Sequence, residues 1–153
     1  MKCNFTRTQS FLIVGAVYLI AAAVGIGAYF MTPYLWSFWI RLLIADVLAT
    51  VAVFAFSLIF RNASVYDPYW SVQPIVILFC FLIGQKPTPL KLLLFLAVLF
   101  WGIRLTANWA YTFKSLAHED WRYRMLREKT GRLYPIINFA GIHLVPTLVV
   151  YLC

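Results

Sequence analysis

The stretch Phe11–Phe30, FLIVGAVYLIAAAVGIGAYF, is twenty residues without a charge. A helix rises about 1.5 Å per residue, so this run reaches about 30 Å, the thickness of a bilayer's hydrocarbon core. Lys2 and Arg7 precede it, as the basic start of a signal peptide would. The run is longer than the roughly 7–15 apolar residues of such a leader, and the aromatic stretch after it offers no obvious cleavage site. It reads as an uncleaved transmembrane helix.

Four further apolar runs follow. Residues 31–40, MTPYLWSFWI, combine Pro33 with Tyr34, Trp36 and Trp39, which predicts an interfacial turn. Leu42–Phe60, bracketed by Arg41 and Arg61, is the second helix. Residues 62–74, NASVYDPYWSVQP, form a polar, proline-containing segment that leads into a short third helix over about Trp70–Gly84. After the turn Gln85–Lys91 comes a fourth helix, Leu90–Phe113, with Arg104 inside it. Lys114–Arg132 is the one strongly charged segment, and Pro135–Cys153 is the fifth helix.

Composition fits this pattern. The 153 residues are 63% hydrophobic and 12% charged, with a mean hydropathy of +0.83. Soluble domains carry about 45–50% apolar and about 25% charged residues. Too little polar surface remains to face water. The expected fold is all-α: a single membrane-embedded helical domain over residues 1–153, with about five transmembrane helices.

The net charge of +8 does not point to nucleic acid, because the basic residues lie mostly between apolar runs, where the positive-inside rule and anionic headgroups account for them. Placing the N-terminus in the cytoplasm puts Lys2, Arg7, Arg61 and six more cations between 114 and 132 inside. Arg41, Lys86 and Lys91 then lie outside. On that side assignment the glycosylation triplets at Asn4 and Asn62 go unused. Cys3, Cys80 and Cys153 suggest neither a disulfide framework nor a metal site.

Ionisable groups at membrane depth are candidates for function. Trp101, Arg104, Asn108 and Tyr111 recur at helical spacing, a stripe expected to face the bundle or a cavity. It reads as a pocket wall holding an anionic or carbonyl group, or equally as a structural arginine whose better-placed partner is Asp67. Asp46, Thr50 and Ser57 share a face of the second helix. The hydroxyls there read as helix packing and Asp46 as an interfacial or paired carboxylate. His143, near Asn138 and Pro146, reads as one interhelical hydrogen bond. His118-Glu119-Asp120 lacks the spacing of a zinc motif.

In residues 118–127, HEDWRYRMLR, acids stand beside Arg122, Arg124 and Arg127. Composition favours an interfacial helix resting on lipid phosphate over an anion-binding lip for a nucleotide cofactor. No glycine-rich dinucleotide turn, P-loop or nucleophile elbow is present.

Four segments carry a family resemblance: Asn62, Ser64 and Asp67–Ser71 (N-x-S-x-x-DPYWS), LFWGIRLTANW at Leu99–Trp109, EDWRYR at Glu119–Arg124, and FAGIHLVPTLVVYL at Phe139–Leu152. Over about residues 60–153 the chain resembles the steroid 5-alpha-reductase-like membrane proteins, in particular their uncharacterised bacterial-type branch. The resemblance implies a helical bundle and, in characterised relatives, NADPH-dependent reduction of a carbon–carbon double bond conjugated to a carbonyl in a lipid. A hydride adds to the beta carbon while donors polarise the carbonyl and a proton reaches the alpha carbon.

In that family most of the cofactor site lies in later helices, around an Arg/His-Pro-Asn-Tyr stretch followed by a Glu, and none of it occurs here. The chain also stops at Cys153, directly after the apolar run Leu148–Leu152. The expectation is the N-terminal portion of a longer reductase-like fold, inactive alone and with no cofactor of its own. NADPH is implied for full-length relatives. Expected partners are membrane lipid, a hydrophobic small-molecule substrate and helices completing the bundle.

Asp67, Tyr69, Arg104, Asn108, Glu119, Asp120, Arg122 and Tyr123 are candidates for pocket lining or structural pairing, and none is assigned a catalytic role. Two rival readings are a non-enzymatic small membrane protein acting by helix association, and a relative of the isoprenylcysteine methyltransferases that use S-adenosylmethionine.

Overall fold

The computed structural model describes residues 5–153. Lys2, Cys3 and Asn4, which entered the charge, cysteine and glycosylation readings, lie outside them. Helix α1 spans Arg7–Met31, α2 Phe38–Phe60, α3 Tyr69–Leu82, α4 Pro89–Thr112 and α5 Trp121–Thr130. Short pieces α6 (Tyr134–Ile137) and α7 (Val145–Leu152) are joined by a π-helical turn, Asn138–Leu144. No strand occurs among the described residues. Five helical stretches are long and apolar enough to cross a membrane: Arg7–Met31, Phe38–Phe60, Ala63–Leu82, Pro89–Thr112 and Trp121–Leu152.

Capping chemistry sets several boundaries that hydropathy misplaces. Helix α1 starts ahead of its apolar run because Thr6 and Gln9 form a capping box, each side chain accepting from the other's backbone N–H. Ser37 caps α2, so Phe38, Trp39 and Ile40 belong to the helix and not to the expected turn, and Arg41 lies inside the helix it was expected to bracket. The Arg41 guanidinium donates to the Tyr29 carbonyl at 3.0 Å and lies over the Tyr29 ring, tying the start of α2 to the end of α1. At its far end α2 stops at Arg61, whose φ of 50° is the left-handed conformation of a helix cap.

Small residues bring the helices together. Gly25 on α1 faces α2 so closely that a Cβ there would lie 3.2 Å from the Ala45 carbonyl oxygen and 3.4 Å from the Ala49 Cβ. With Ala21 one turn earlier, this is the small-residue spacing that lets apolar helices approach. Helix α4 meets α3 through Gly102, where an added Cβ would stand 2.5 Å from the Ser71 carbonyl oxygen. Thr106, one turn on, bonds Ser71 through their hydroxyls at 2.8 Å.

The polar segment ahead of α3 is not a solvated loop. Asn62 to Tyr66 are almost fully buried, with a 3₁₀ turn at Ala63–Val65. Asn62 Nδ2 donates to the Leu116 carbonyl at 2.8 Å, and the Asp120 N–H donates to Ser64 Oγ at 3.0 Å. The segment therefore plugs the bundle and pins the 113–120 loop beneath it. Val14, Val17, Val53, Val65, Tyr66, Phe113 and Leu116 form the apolar core at this end.

The exterior is hydrocarbon-like. Leu19, Phe30, Ile59, Leu90, Leu93, Phe100 and Ile136 are each more than half exposed. Arg7, Arg61 and the α5 cations gather at one end of the bundle, while Tyr29, Phe38, Trp39, Phe81 and Tyr151 cluster at the other.

Candidate functional site

Helices α1, α2 and α3 enclose a partly open cleft of about 810 Å³. Its walls are Ala22, Gly25 and Ile26 from α1, Leu42, Ala45 and Ala49 from α2, and Val72, Val76 and Ile77 from α3. Rings of Tyr29, Phe38, Trp39 and Phe81 line the aromatic end. The volume sits within the roughly 300–1,000 Å³ range of small-molecule sites, which are mostly apolar with a few placed polar groups.

Those polar groups are Asp46 and Gln73, both buried, with Gln73 Nε2 donating to Asp46 Oδ2. Gln73 is only 5% exposed and its Oε1 has no hydrogen-bond partner among the described residues. A buried amide oxygen without a donor is costly, so it is a contact point for a polar ligand atom. Tyr18 and Tyr69 complete the polar rim, packed edge to face with ring centroids 5.7 Å apart.

Behind the cleft lies a buried polar cluster that fixes α7 against α2 and α3. Thr147 Oγ1 meets Thr50 Oγ1 at 2.9 Å and the Tyr66 hydroxyl at 2.8 Å, while its carbonyl accepts from Gln73 Nε2 at 3.4 Å. His143 is fully buried, its ring tilted against Tyr66 with centroids 4.5 Å apart, and its Nδ1 meets the Asn138 carbonyl of its own helical turn at 3.1 Å in place of the expected interhelical bond. Since a carbonyl only accepts, Nδ1 carries the proton and Nε2 is left as an acceptor. Asn138 Nδ2 in turn donates to Ser57 Oγ at 3.4 Å. The π-helical turn brings Asn138 and His143 onto this buried side, a distortion often met at functional sites.

The eight residues singled out from sequence fall in three places. Tyr69 lines the cleft. Asp67, Glu119, Asp120, Arg122 and Tyr123 gather at the basic end, as clasps of the plug. The Tyr123 hydroxyl donates to Asp67 Oδ1. Glu119 Oε1 accepts from the Ala63 N–H at 3.0 Å and from Arg127 at 2.8 Å. Asp120 caps α5 and pairs with Arg122 at 2.9 Å, and this guanidinium holds the Asp120 carboxyl below the usual carboxylate range.

Arg104 and Asn108 go elsewhere. Both are exposed, as are Trp101 and Tyr111, so the stripe expected to turn inward faces out. The Gly102–Thr106 face is the one that packs on α3, and Asp67 is bonded to Tyr123 instead of Arg104. Asp46, read as an interfacial or a paired carboxylate, is the paired one: it is buried and accepts from Gln73. Gln73, the partner that sequence reading missed, was visible as a lone amide in an apolar run, one turn after Tyr69.

Residues 53–153 match the family described as "Protein of unknown function (DUF1295)". The chain belongs to this family of membrane proteins. No curated protein and no solved structure matches the chain. The matched region takes in the last third of α2, the plug, the Asp67–Ser71 segment, α4 and the polar cluster apart from Thr50, whereas α1 and the part of α2 that lines the cleft, Asp46 included, precede it.

Two arginines of α5, Arg122 and Arg127, are already paired with Asp120 and Glu119, and no glycine-rich turn accompanies them. Among the described residues, no group of acids, histidines and cysteines could hold a metal ion.

Proposed function

We propose that this chain is a multi-pass membrane protein that holds a hydrophobic lipid in the α1–α3 cleft, as the lipid-binding part of a steroid-reductase-like fold. The observation that carries this reading is an apolar cleft of about 810 Å³ with the buried Asp46–Gln73 pair as its polar contact. Such a site takes a rigid or branched apolar body and orients it by one polar end. The exposed Leu, Ile and Phe side chains offer a lipid-phase approach.

Kinship with the reductases supports a lipid whose polar end is a carbonyl conjugated to a double bond. The side-chain N–H groups of Gln73 are already given to Asp46 and the Thr147 carbonyl, so the Tyr69 hydroxyl on the cleft wall is the donor for such an oxygen, and a ligand hydroxyl would be met by Gln73 Oε1. Reduction itself belongs to NADPH in the characterised relatives.

The test is photo-crosslinking of a diazirine-bearing steroid enone to the chain in lipid nanodiscs. Saturable labelling of α2 and α3 that unlabelled enone competes away is expected. Labelling that tracks bulk lipid and ignores competitor would overturn the reading. Titrations with NADPH and S-adenosylmethionine in the same nanodiscs separate a reductase from a methyltransferase.

A further inference from the structure

We propose that the outward face of α4 around Arg104 and Asn108 is a docking surface for a membrane-spanning helix that presents an acidic side chain to the guanidinium. Helix α4 is the least covered of the long helices: Gly102 is its one buried residue. Arg104 is exposed and has neither an ion pair nor a hydrogen-bond partner among the described residues. Asn108 is exposed one turn later, and Trp101 and Tyr111 flank the pair.

Depth decides what can cover this face. Arg104 lies eight residues from Thr112, the last residue of α4, so its Cα sits about 12 Å inside that end. The Cα–Cβ bond of a helical residue leans toward the N-terminus of its helix, here toward the middle of the hydrocarbon, so a guanidinium bound for the headgroups must turn back along its own helix. Headgroup phosphate is then a poor partner, and a permanent cation at this depth is costly unless paired.

A second copy of the chain supplies no acid for it. The sequence holds five acidic residues. Asp46 is bonded to Gln73, Asp67 to Tyr123, Glu119 to Arg127 and Asp120 to Arg122. Glu128 lies on polar α5, at the basic end beside Arg61 and Arg124. Charge complementarity therefore requires a carboxylate from outside these residues, carried by a helix at the same depth. Asn108 adds an amide to fix its register, and interhelical side-chain hydrogen bonds of this kind hold membrane helices together. This inference stands whether or not the cleft holds a lipid.

The test is association of the nanodisc-embedded chain with synthetic poly-leucine transmembrane peptides, measured by fluorescence energy transfer. The peptides carry a single Glu, Gln or Lys at the depth of Arg104. The Glu peptide is expected to bind at least tenfold tighter than the others. That preference is lost in Arg104→Leu and retained in part in Arg104→Lys, with thermal unfolding confirming that each variant is folded. Equal binding of the three peptides contradicts the proposal. So does restoration of Glu-peptide binding by Ile103→Arg in the Arg104→Leu background, since any lipid-facing arginine would then suffice. Arg104-dependent self-association that excludes the peptide would assign the face to a second copy, and displacement of the peptide by anionic lipid would assign it to headgroups; either overturns the proposal.

Discussion

Thr147 joins three helices, its side chain bonding Thr50 of α2 and the Tyr66 hydroxyl while its backbone carbonyl meets Gln73 of α3. Valine keeps its shape but leaves two buried hydroxyls short of a partner, at about 1–3 kcal/mol for a buried polar group left unmet. Thr147→Val is therefore expected to lower the thermal unfolding midpoint in detergent, and Thr147→Ser to restore most of the loss. Asp120 makes a different kind of contact, at the water-facing start of α5. Its folded value is depressed by Arg122, so its contribution is present above the ordinary carboxylate pKa of about 4 and is lost as pH falls through the lower folded value. The protection factors of the amides in the first turn of α5 are expected to fall on acidification below about pH 4. In Asp120→Ala they should be low at every pH, with about 1 kcal/mol lost from the cap.

At the scale of the elements, the long apolar runs gave up α1, α2 and α4 from sequence, because a bilayer-length run without charge has few other uses. Their ends were less legible. Thr6, Ser37 and Gln9 act through single hydrogen bonds that hydropathy does not register. The direction of α4 was misread for a physical reason: a polar stripe is normally the buried stripe in lipid, but Gly102 and Thr106 provide the closer approach to α3. The break at Asn138–Leu144 was also hidden, since a π-helical turn has no strong residue signature and its apolar surroundings read as uninterrupted helix. Packing at Gly102 has a sharp consequence. Gly102→Leu drives a side chain into the α3 backbone and is expected to cost about 1–3 kcal/mol, read as a lower unfolding midpoint. Gly27→Leu, with nothing within 4 Å of its added Cβ, is expected to be neutral or slightly stabilising.

The whole molecule combines a lipid-like exterior with two polar features, the cleft contact and the buried Thr147–His143 cluster, that a simple helical anchor would not need. Fold class followed from sequence, and residues 53–153 place the chain in a family of membrane proteins of unknown function. The site did not follow, because it is assembled from α1, α2 and α3 across separations that no local pattern records: Asp46 and Gln73 are 27 positions apart. Charge distribution makes its own prediction at this scale. Arg7, Arg61 and the α5 cations share one end, so a cysteine introduced there, at Arg124, is expected to be shielded from an impermeant thiol reagent in intact cells. One introduced at Gln85 is expected to react.

Photo-crosslinking of the steroid-enone probe to the wild-type chain and to Val72→Trp, whose indole fills the cleft, tests the central claim most directly. The account predicts saturable labelling confined to α2 and α3 in the wild type, and its loss in a Val72→Trp protein that still unfolds cooperatively. Equal labelling of the two proteins would contradict it.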